Sequence, residues 1–306
     1  RKSWEEIRSY AMSSVPLLRE VMPDQLEEAS GIASGAGVPF EDLMLLNSRY
    51  EITKFPLEPE CTTCAVLPEA SRGGKTFLVK NWDYRAGILD NIVILHIREP
   101  DGTQVIGLTE AGQLIREGFN SHGVGLCNNS LQSVHDHWGE GIPVTFLRRK
   151  VLASRSFQEA KDLLLSSKRS VSNNMLLASR DARAVDIEAH PGGCGVLDPV
   201  EGILTHANHF VVNPELNALD GSPRGERLRS LLMEKYGSIT VEYIKKCMSD
   251  HENYPKAICR HPSDVDIPLS RRGITVASMI VDFSENAAFI CPGPPCENEY
   301  TKYSMA

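Results

Sequence analysis

The chain has 306 residues, 42% of them hydrophobic and 24% charged, a composition typical of a globular protein with a sizeable core. Its 32 basic and 40 acidic residues give a net charge of −8, which argues against nucleic acid or an anionic membrane surface as the main partner. No apolar run approaches the roughly 18–20 residues of a membrane-spanning helix, and eight irregularly spaced cysteines indicate free thiols in a reducing compartment. We therefore expect a cytoplasmic protein.

The N-terminal part of the chain predicts helices. Ser3 and Glu6 form a capping-box pattern, and apolar residues recur at helical spacing as far as Leu18. Two further helical segments follow, "DQLEEASGIASGAG" and "FEDLMLLNSRYEI", before "FPLEPE" interrupts the pattern with two prolines. The sequence thus predicts a helical segment over residues 1–60.

From Cys61 onward the periodicity changes from helix to strand. Five short apolar segments, from "TTCAVL" to "HGVGLCN", are separated by turn sequences and predict an antiparallel meander. Helices are then predicted near 143–153, 156–166, 223–236 and 240–249, with strands at "NNMLLASR", "AVDIEA", "GILTHA", "ITVASMIVDF" and "NAAFIC". Strand blocks alternating with helical blocks indicate an α+β fold, in which residues 61–306 form one globular domain with the helical segment.

Cys61 and Cys64 form a C-x-x-C pair at the start of the first strand, and the residues alone allow several interpretations. A zinc knuckle would need two further ligands, and its candidates lie in unrelated contexts: His135 and His137, His206 and His209, or Cys291 and Cys296. A redox dithiol would need a helix N-terminus, whereas a strand follows here. Cys61 could also be a small buried residue. The last interpretation is a nucleophile at a newly made N-terminus, whose own α-amine, with a pKa of roughly 7.7–8.0, acts as general base.

The order of several motifs over positions 31–290 favours the last interpretation. These motifs are "GIASGAG", "MLLNSRYE", "CTT", "NWD", "LTEAG", "GFNSHGV", "HANH", "NYPKAICR" and "RRGITVASMIVD". In this order and spacing the chain resembles the acyl-coenzyme A:6-aminopenicillanic acid acyltransferase family, which includes N-β-alanyl-dopamine hydrolase. The resemblance implies the αββα four-layer sandwich of N-terminal nucleophile hydrolases. It also implies autoproteolysis between Glu60 and Cys61, with the helical segment either released or retained.

The resemblance further implies roles for individual residues. Cys61 matches the processed nucleophile, and Asp83 in "NWD" matches an acidic residue beside the new amine. Asn208 in "HANH" matches an oxyanion donor, and Arg272 in "RRG" matches an arginine near the nucleophile. Asn129 lies where related hydrolases place a second oxyanion contributor.

Four other positions concern the pocket and the cleavage site. Trp82 and Tyr84 flank the acidic residue of "NWD", and His190 stands where the acyltransferase has a serine, so all three are candidate pocket residues. Glu60 replaces the glycine that the best-known relatives carry before the nucleophile. We expect self-cleavage to persist, because it depends on the strained conformation and the thiol.

The favoured function is that of a cysteine amidohydrolase, which cleaves the amide bond of a small N-acyl compound through a thioester on Cys61. The alternatives are an acyltransferase that uses an acyl-CoA thioester and an unprocessed homologue without catalysis. The expected partner is a small N-acyl amide or acyl thioester. We expect no cofactor and no metal, because the thiol and the amine supply nucleophile and base.

Overall fold

The structure is a computed structural model, and it describes residues 3–53, 60–218, 220–262 and 267–305. These ranges contain nine α-helices: α1 Trp4–Ser13, α2 Val15–Val21, α3 Pro23–Ala36, α4 Phe40–Asn47, α5 Arg49–Thr53, α6 Val144–Val151, α7 Phe157–Ser166, α8 Arg224–Met233 and α9 Val241–Met248. The predicted capping box of α1 is confirmed, because Ser3 and Glu6 each accept a side-chain hydrogen bond from the other's backbone N–H. Of the helices described, none is both long and apolar enough to cross a membrane.

The described ranges also contain thirteen strands: β1 Glu60–Val66, β2 Phe77–Arg85, β3 Ile92–Arg98, β4 Gln104–Glu110, β5 Glu117–Asn120, β6 Val124–Ser130, β7 Asn173–Ser179, β8 Ala184–His190, β9 Gly193–Leu197, β10 Ile203–His206, β11 Gly273–Asp282, β12 Ala287–Pro292 and β13 Thr301–Ser304. They form two antiparallel sheets. The first has the strand order β10-β1-β2-β11-β12-β13, and the second has the order β3-β4-β5-β6-β7-β8-β9.

The predicted meander is wrong at one connection. β2 pairs with β11 in the first sheet, and β3 begins the second sheet, so the chain changes sheets between them. Three strands, β5, β9 and β13, were not expected from the sequence because each has only four or five residues and no sustained apolar alternation. The proline-rich stretch before β1 lies outside the described residues.

The side chains of β1 show how the two sheets divide the core. Cys61 and Ala65 face the layer between the sheets, whereas Cys64 and Val66 face a separate layer beneath α8 and α9. This is the normal alternation of side chains along a strand. The outer face of the second sheet is covered by helices α1–α7. The layers therefore follow the order helix, sheet, sheet, helix, which confirms the predicted α+β class and αββα sandwich.

The N-terminal helices are fastened to the second sheet by buried polar contacts as well as by apolar packing. The Asn47 side chain donates to the carbonyl oxygen of Gly112 and accepts from the backbone N–H of Leu114, both at 3.0 Å. Arg49 forms a two-point ion pair with Glu110. These contacts make the helical segment an integral part of the sandwich.

Candidate active site

Cys61 is the second residue of β1 and lies at the end of the layer between the sheets. It is 5% exposed and pairs across the sheet with Trp82 of β2, whose side chain shares the same layer. Burial raises the pKa of the Cys61 thiol, and the positive charge of Lys80 opposes this effect. The thiol of the intact chain is therefore protonated near neutral pH and needs a base before it can attack a carbonyl carbon.

Cys64 does not join Cys61 in a common site. Residues three apart in a strand point to opposite faces, and Cys64 is buried in the layer beneath α8 and α9 beside Cys247. Burial raises the pKa of the Cys64 thiol. The pair therefore fits neither a zinc knuckle nor a redox dithiol, both of which need two thiols on one side.

The backbone nitrogen of Cys61 is held by Asn208, which follows β10. The N–H of Cys61 donates to Asn208 Oδ1 at 2.6 Å, and the same oxygen accepts from Arg224 Nη2 at 2.8 Å. Two donors on one oxygen fix the orientation of the side-chain amide. Its Nδ2 donates to the carbonyl oxygen of Ser130 at 2.9 Å. This bond uses one of the two Nδ2 hydrogens and leaves the second for another acceptor.

Arg224 contacts Cys61 and was not predicted from the sequence. It is buried at the start of α8, and besides Asn208 it donates to Thr62 Oγ1 at 3.1 Å and to the carbonyl oxygen of Cys61 at 3.4 Å. The sequence prediction gave an arginine near the nucleophile to Arg272. The structure instead places Arg272 just before β11, where its Nε donates to the carbonyl oxygen of Ile267. Arg224 therefore joins Arg272 as a candidate, and the role of Arg272 stays a prediction.

Asp83 lies in β2 as the cross-strand partner of Glu60, the residue before Cys61. Its Oδ1 accepts from Thr275 Oγ1 at 2.6 Å, whereas its buried Oδ2 has no hydrogen-bond partner among the described residues. Burial raises the pKa of Asp83 to about 7, against the lowering effects of Arg224 and the Thr275 hydrogen bond. A buried carboxyl group with one unsatisfied oxygen is suited to receive a cation that forms nearby.

A buried ion pair lies on the face of β2 that carries Trp82, opposite to the face that carries Asp83. Lys80 of β2 pairs across the sheet with Thr63 of β1 and forms a salt bridge with Glu117 of β5, and both charged side chains are fully buried. Sequence analysis missed this pair, although Lys80 directly precedes the "NWD" motif. Lys80 lowers the pKa of the Cys61 thiol, whereas its partner Glu117 opposes this effect.

The side-chain Nδ2 of Asn129, in β6, is already hydrogen-bonded to other residues of the protein. Its Nδ2 donates to Thr63 Oγ1 at 2.8 Å and to Asn174 Oδ1 at 2.9 Å, which uses both of its hydrogens. The geometry therefore gives Asn129 a structural place in the polar layer between the sheets. Its role as a second oxyanion donor stays a prediction that these contacts do not support.

Two of the three predicted pocket residues lie in the same inter-sheet layer as Cys61. Trp82 is buried, and the guanidinium of Arg116 stacks over its ring at 4.1 Å. Tyr84 is half-buried and packs on the edge of the same layer, with the Arg49 guanidinium 5.1 Å from its ring centre. Both aromatic rings are held by cations on one face.

His190 lies at the end of β8, at the same end of the second sheet as Ser130. The half-buried ring accepts a hydrogen bond from the backbone N–H of Gly192 and packs near His135. Burial lowers the pKa of His190, and His135 lowers it further. The ring also packs edge-on against Phe210, which follows β10 of the first sheet. A neutral imidazole at this rim is compatible with the predicted pocket role.

The chain is similar to known proteins both in sequence and in fold. A family model described as acyl-coenzyme A:6-aminopenicillanic acid acyl-transferase matches residues 70–295. The chain belongs to this family. The matched range begins after Cys61, so the family assignment does not depend on that residue. The 40 kDa form of acyl-coenzyme A:6-aminopenicillanic-acid-acyltransferase from Emericella nidulans is one relative. It is 28% identical in an alignment of 306 residues, gaps included, and the alignment covers 96% of this chain and 82% of that protein.

Solved structures with the same fold carry much lower sequence identity. The N-acylethanolamine-hydrolyzing acid amidase orthologue of Caenorhabditis elegans has a TM-score of 0.56 at 16% identity, covering 73% of this chain and 93% of its own. The conjugated bile acid hydrolase of Clostridium perfringens has a TM-score of 0.54 at 12% identity, covering 80% and 97%. Penicillin V acylase of Agrobacterium tumefaciens has a TM-score of 0.52 at 12% identity, covering 76% and 83%. These likenesses confirm the N-terminal nucleophile hydrolase fold.

Proposed function

We propose that this protein cuts its own chain between Glu60 and Cys61 and then uses Cys61 as the nucleophile of an amidohydrolase. The observation that carries the proposal is the environment of the Cys61 nitrogen. That nitrogen is bonded to Asn208 Oδ1 at 2.6 Å, and the residue before it pairs with Asp83, whose Oδ2 lacks a partner among the described residues. This is an arrangement for a nitrogen that becomes a free amine.

Self-cleavage follows from the thiol of Cys61 and its neighbouring carbonyl group. The Cys61 sulfur attacks the carbonyl carbon of Glu60, the bond from that carbon to the Cys61 nitrogen breaks, and the thiol proton is transferred to the departing amine. Water then attacks the resulting thioester, which releases the Glu60 carboxylate and regenerates the thiol. The new ammonium group would satisfy the buried carboxylate of Asp83, and this interaction favours the cleaved state.

The catalytic cycle repeats the same chemistry on an external amide. The Cys61 amine takes the thiol proton, the thiolate attacks the substrate carbonyl carbon, and the protonated amine donates to the departing nitrogen. The remaining Nδ2 hydrogen of Asn208 stabilises the tetrahedral oxyanion. Arg224 is a positioning residue, because its donated bond holds the Asn208 side-chain oxygen toward Cys61. Water resolves the thioester and yields a free acid.

The substrate class we propose is a small N-acyl amide. One fold relative is named an N-acylethanolamine-hydrolyzing acid amidase, and two others are named a conjugated bile acid hydrolase and a penicillin V acylase. The first of these names supports an amide substrate here, and the other two support hydrolysis or acyl chemistry on a small molecule. The second candidate is acyl transfer from a CoA thioester, because the relative from Emericella nidulans is named for that reaction. The net charge of −8 offers no general attraction for CoA phosphates, so we favour water as acceptor.

The test is the mass of the freshly purified chain. We expect two fragments, residues 1–60 and 61–306, and N-terminal sequencing of the larger one should begin Cys-Thr-Thr-Cys. Cys61→Ala should remain intact and inactive. Cys64→Ala is the matched control, since Cys64 points to the opposite layer, and it should still be cut.

Two results would overturn the proposal. One is a fully intact wild-type chain that nevertheless turns over an N-acyl amide. The other is a Cys61→Ala chain that is cleaved at the same bond as the wild type.

A further inference from the structure

Two loops remote in sequence bring two thiols and two imidazoles together outside the Cys61 site. The loop between α9 and β11 contributes His251, Cys259 and His261, and the loop between β12 and β13 contributes Cys296. One potential ligand atom from each residue lies within 4.8 Å of the other three. Such a group of soft and borderline ligands is the usual donor set of a structural zinc ion.

Four separations between these atoms lie within about 0.5 Å of the edge lengths of a tetrahedral zinc site. The two Nε2 atoms of His251 and His261 are 3.1 Å apart, and the two sulfur atoms of Cys259 and Cys296 are 3.6 Å apart. His261 Nε2 lies 3.1 Å from Cys296 Sγ and 3.8 Å from Cys259 Sγ. With Zn–S bonds of about 2.3 Å and Zn–N bonds of about 2.0–2.1 Å, tetrahedral geometry requires ligand separations of about 3.3–3.8 Å.

We propose that these residues form a structural zinc site with four protein ligands: His251, Cys259, His261 and Cys296. Four protein ligands close the coordination sphere, so the ion has a structural role and leaves no position for a substrate. The proposal departs from the metal-free protein expected from the sequence, where Cys296 was considered only with Cys291 as a partner for the C-x-x-C pair.

Simpler explanations account for only part of the cluster. A disulfide between Cys259 and Cys296 would not require two imidazoles to converge on the sulfurs. A hydrogen bond between the His251 and His261 rings would not require the two thiols. One shared cation explains why all four atoms meet. The other ring nitrogen of His261, Nδ1, faces Glu297 Oε1 at 3.5 Å, and a carboxylate in this position is common behind zinc-bound histidine.

The site has a structural connection to the proposed catalytic machinery. Arg260 stands between two of the ligands, and its backbone N–H donates to Thr275 Oγ1 at 2.8 Å while its carbonyl oxygen accepts from the Thr275 N–H at 3.0 Å. The same Thr275 hydroxyl donates to Asp83 Oδ1 at 2.6 Å. A zinc ion that fixes the backbone on both sides of Arg260 therefore fixes the hydrogen bond that orients Asp83.

The experiment measures metal in the full chain, purified without a metal-affinity tag from cells supplied with zinc. Elemental analysis should find one zinc per chain. Replacement by Co²⁺ should give the thiolate charge-transfer and ligand-field absorption of a tetrahedral site. Cys296→Ser and His251→Asn should each raise the zinc Kd by at least about 100-fold. Cys194→Ser, at a half-buried free cysteine of the second sheet, is the matched control and should retain the metal.

The readout is independent of the proposed activity, because metal content is measured whether or not Glu60–Cys61 is cut. His251 is exposed, so His251→Asn should fold, and zinc loss in that variant would support direct ligation. Chelation should lower the thermal transition of the wild type but not that of Cys296→Ser. The proposal is overturned if the reduced chain takes up no zinc, if both ligand variants keep it, or if the native mass shows a Cys259–Cys296 disulfide.

Discussion

Replacement of Arg224 by Met tests whether this arginine positions Asn208 beside Cys61. The change removes a buried guanidinium that donates to Asn208 Oδ1, Thr62 Oγ1 and the Cys61 carbonyl oxygen. A hydrogen bond from a charged group contributes about 1.5–3 kcal/mol, and the bond to Asn208 is the shortest of the three at 2.8 Å. If about 3 kcal/mol is lost from the transition state, self-cleavage and turnover should each slow by about 10²-fold.

The same substitution should also move the pH dependence of self-cleavage. Arg224 lowers the pKa of Asp83, so its removal should raise that pKa above the value of about 7 in the intact chain. If cleavage requires the Asp83 carboxylate to receive the new ammonium group, the rate increases as pH rises through this pKa. The acidic limb of the profile should therefore shift to higher pH in Arg224→Met.

The assay measures the loss of intact chain over time by mass spectrometry at a series of pH values. It starts from protein that has been freshly refolded or expressed and is not yet cut. Arg229→Met, on the same helix but paired with Glu201, is the matched control and should leave both the rate and the profile as in the wild type. Arg224→Lys keeps a charge but cannot span three acceptors, so an intermediate rate is expected. If Arg224→Met cleaves at the wild-type rate with an unshifted profile, the positioning role is refuted.

Three further predictions concern other parts of the site. Asn208→Ala should lower turnover by about 10²–10³-fold, measured as release of free acid, and a wild-type rate would remove the oxyanion role. In the uncut Cys61→Ala chain, Asp83 has a pKa of 3.8 when unfolded and about 7 when folded, so between these values only the native state holds the proton. The unfolding free energy, measured by urea titration, should therefore fall as pH rises through this window, by at most about 4 kcal/mol. Adding Asp83→Asn to that chain should flatten this slope, and an unchanged slope would contradict the assigned pKa. With an N-acyl amide and a millimolar amine acceptor, free acid should exceed new amide by mass spectrometry, and the opposite ratio would favour acyl transfer.

Much of the fold follows from local patterns in the sequence. The capping box of α1 and the alternating strands are decided by neighbouring residues, and both are found as predicted. The pairing of β2 with β11 was not predicted, because it joins segments almost 200 residues apart and depends on packing of whole layers. Short strands such as β5 were missed because their side chains are set by neighbours in the sheet, with little pattern of their own.

The candidate site likewise contains residues that the sequence predicts and residues that it does not. Cys61, Asp83 and Asn208 belong to short motifs, and the structure brings them together. Arg224 carries no motif, and the tandem arginines before β11 offered a more conspicuous candidate in Arg272. Only the position of α8 over the first sheet shows which guanidinium reaches Cys61. The His and Cys cluster was missed for a similar reason, since its fourth member comes from a separate loop.

The attachment of the N-terminal helices to the second sheet has a consequence for how the cut protein behaves. With Asn47 and Arg49 bound to the opposite fragment, cleavage before Cys61 would yield a non-covalent pair of chains that co-purifies under native conditions. Unfolding would then separate two molecules, and refolding would require them to find each other again. The melting temperature of the cut protein would depend on protein concentration, while that of Cys61→Ala would not. Cleavage would in this way convert a chain that can refold alone into a pair of chains whose native lifetime is set by the unfolding rate.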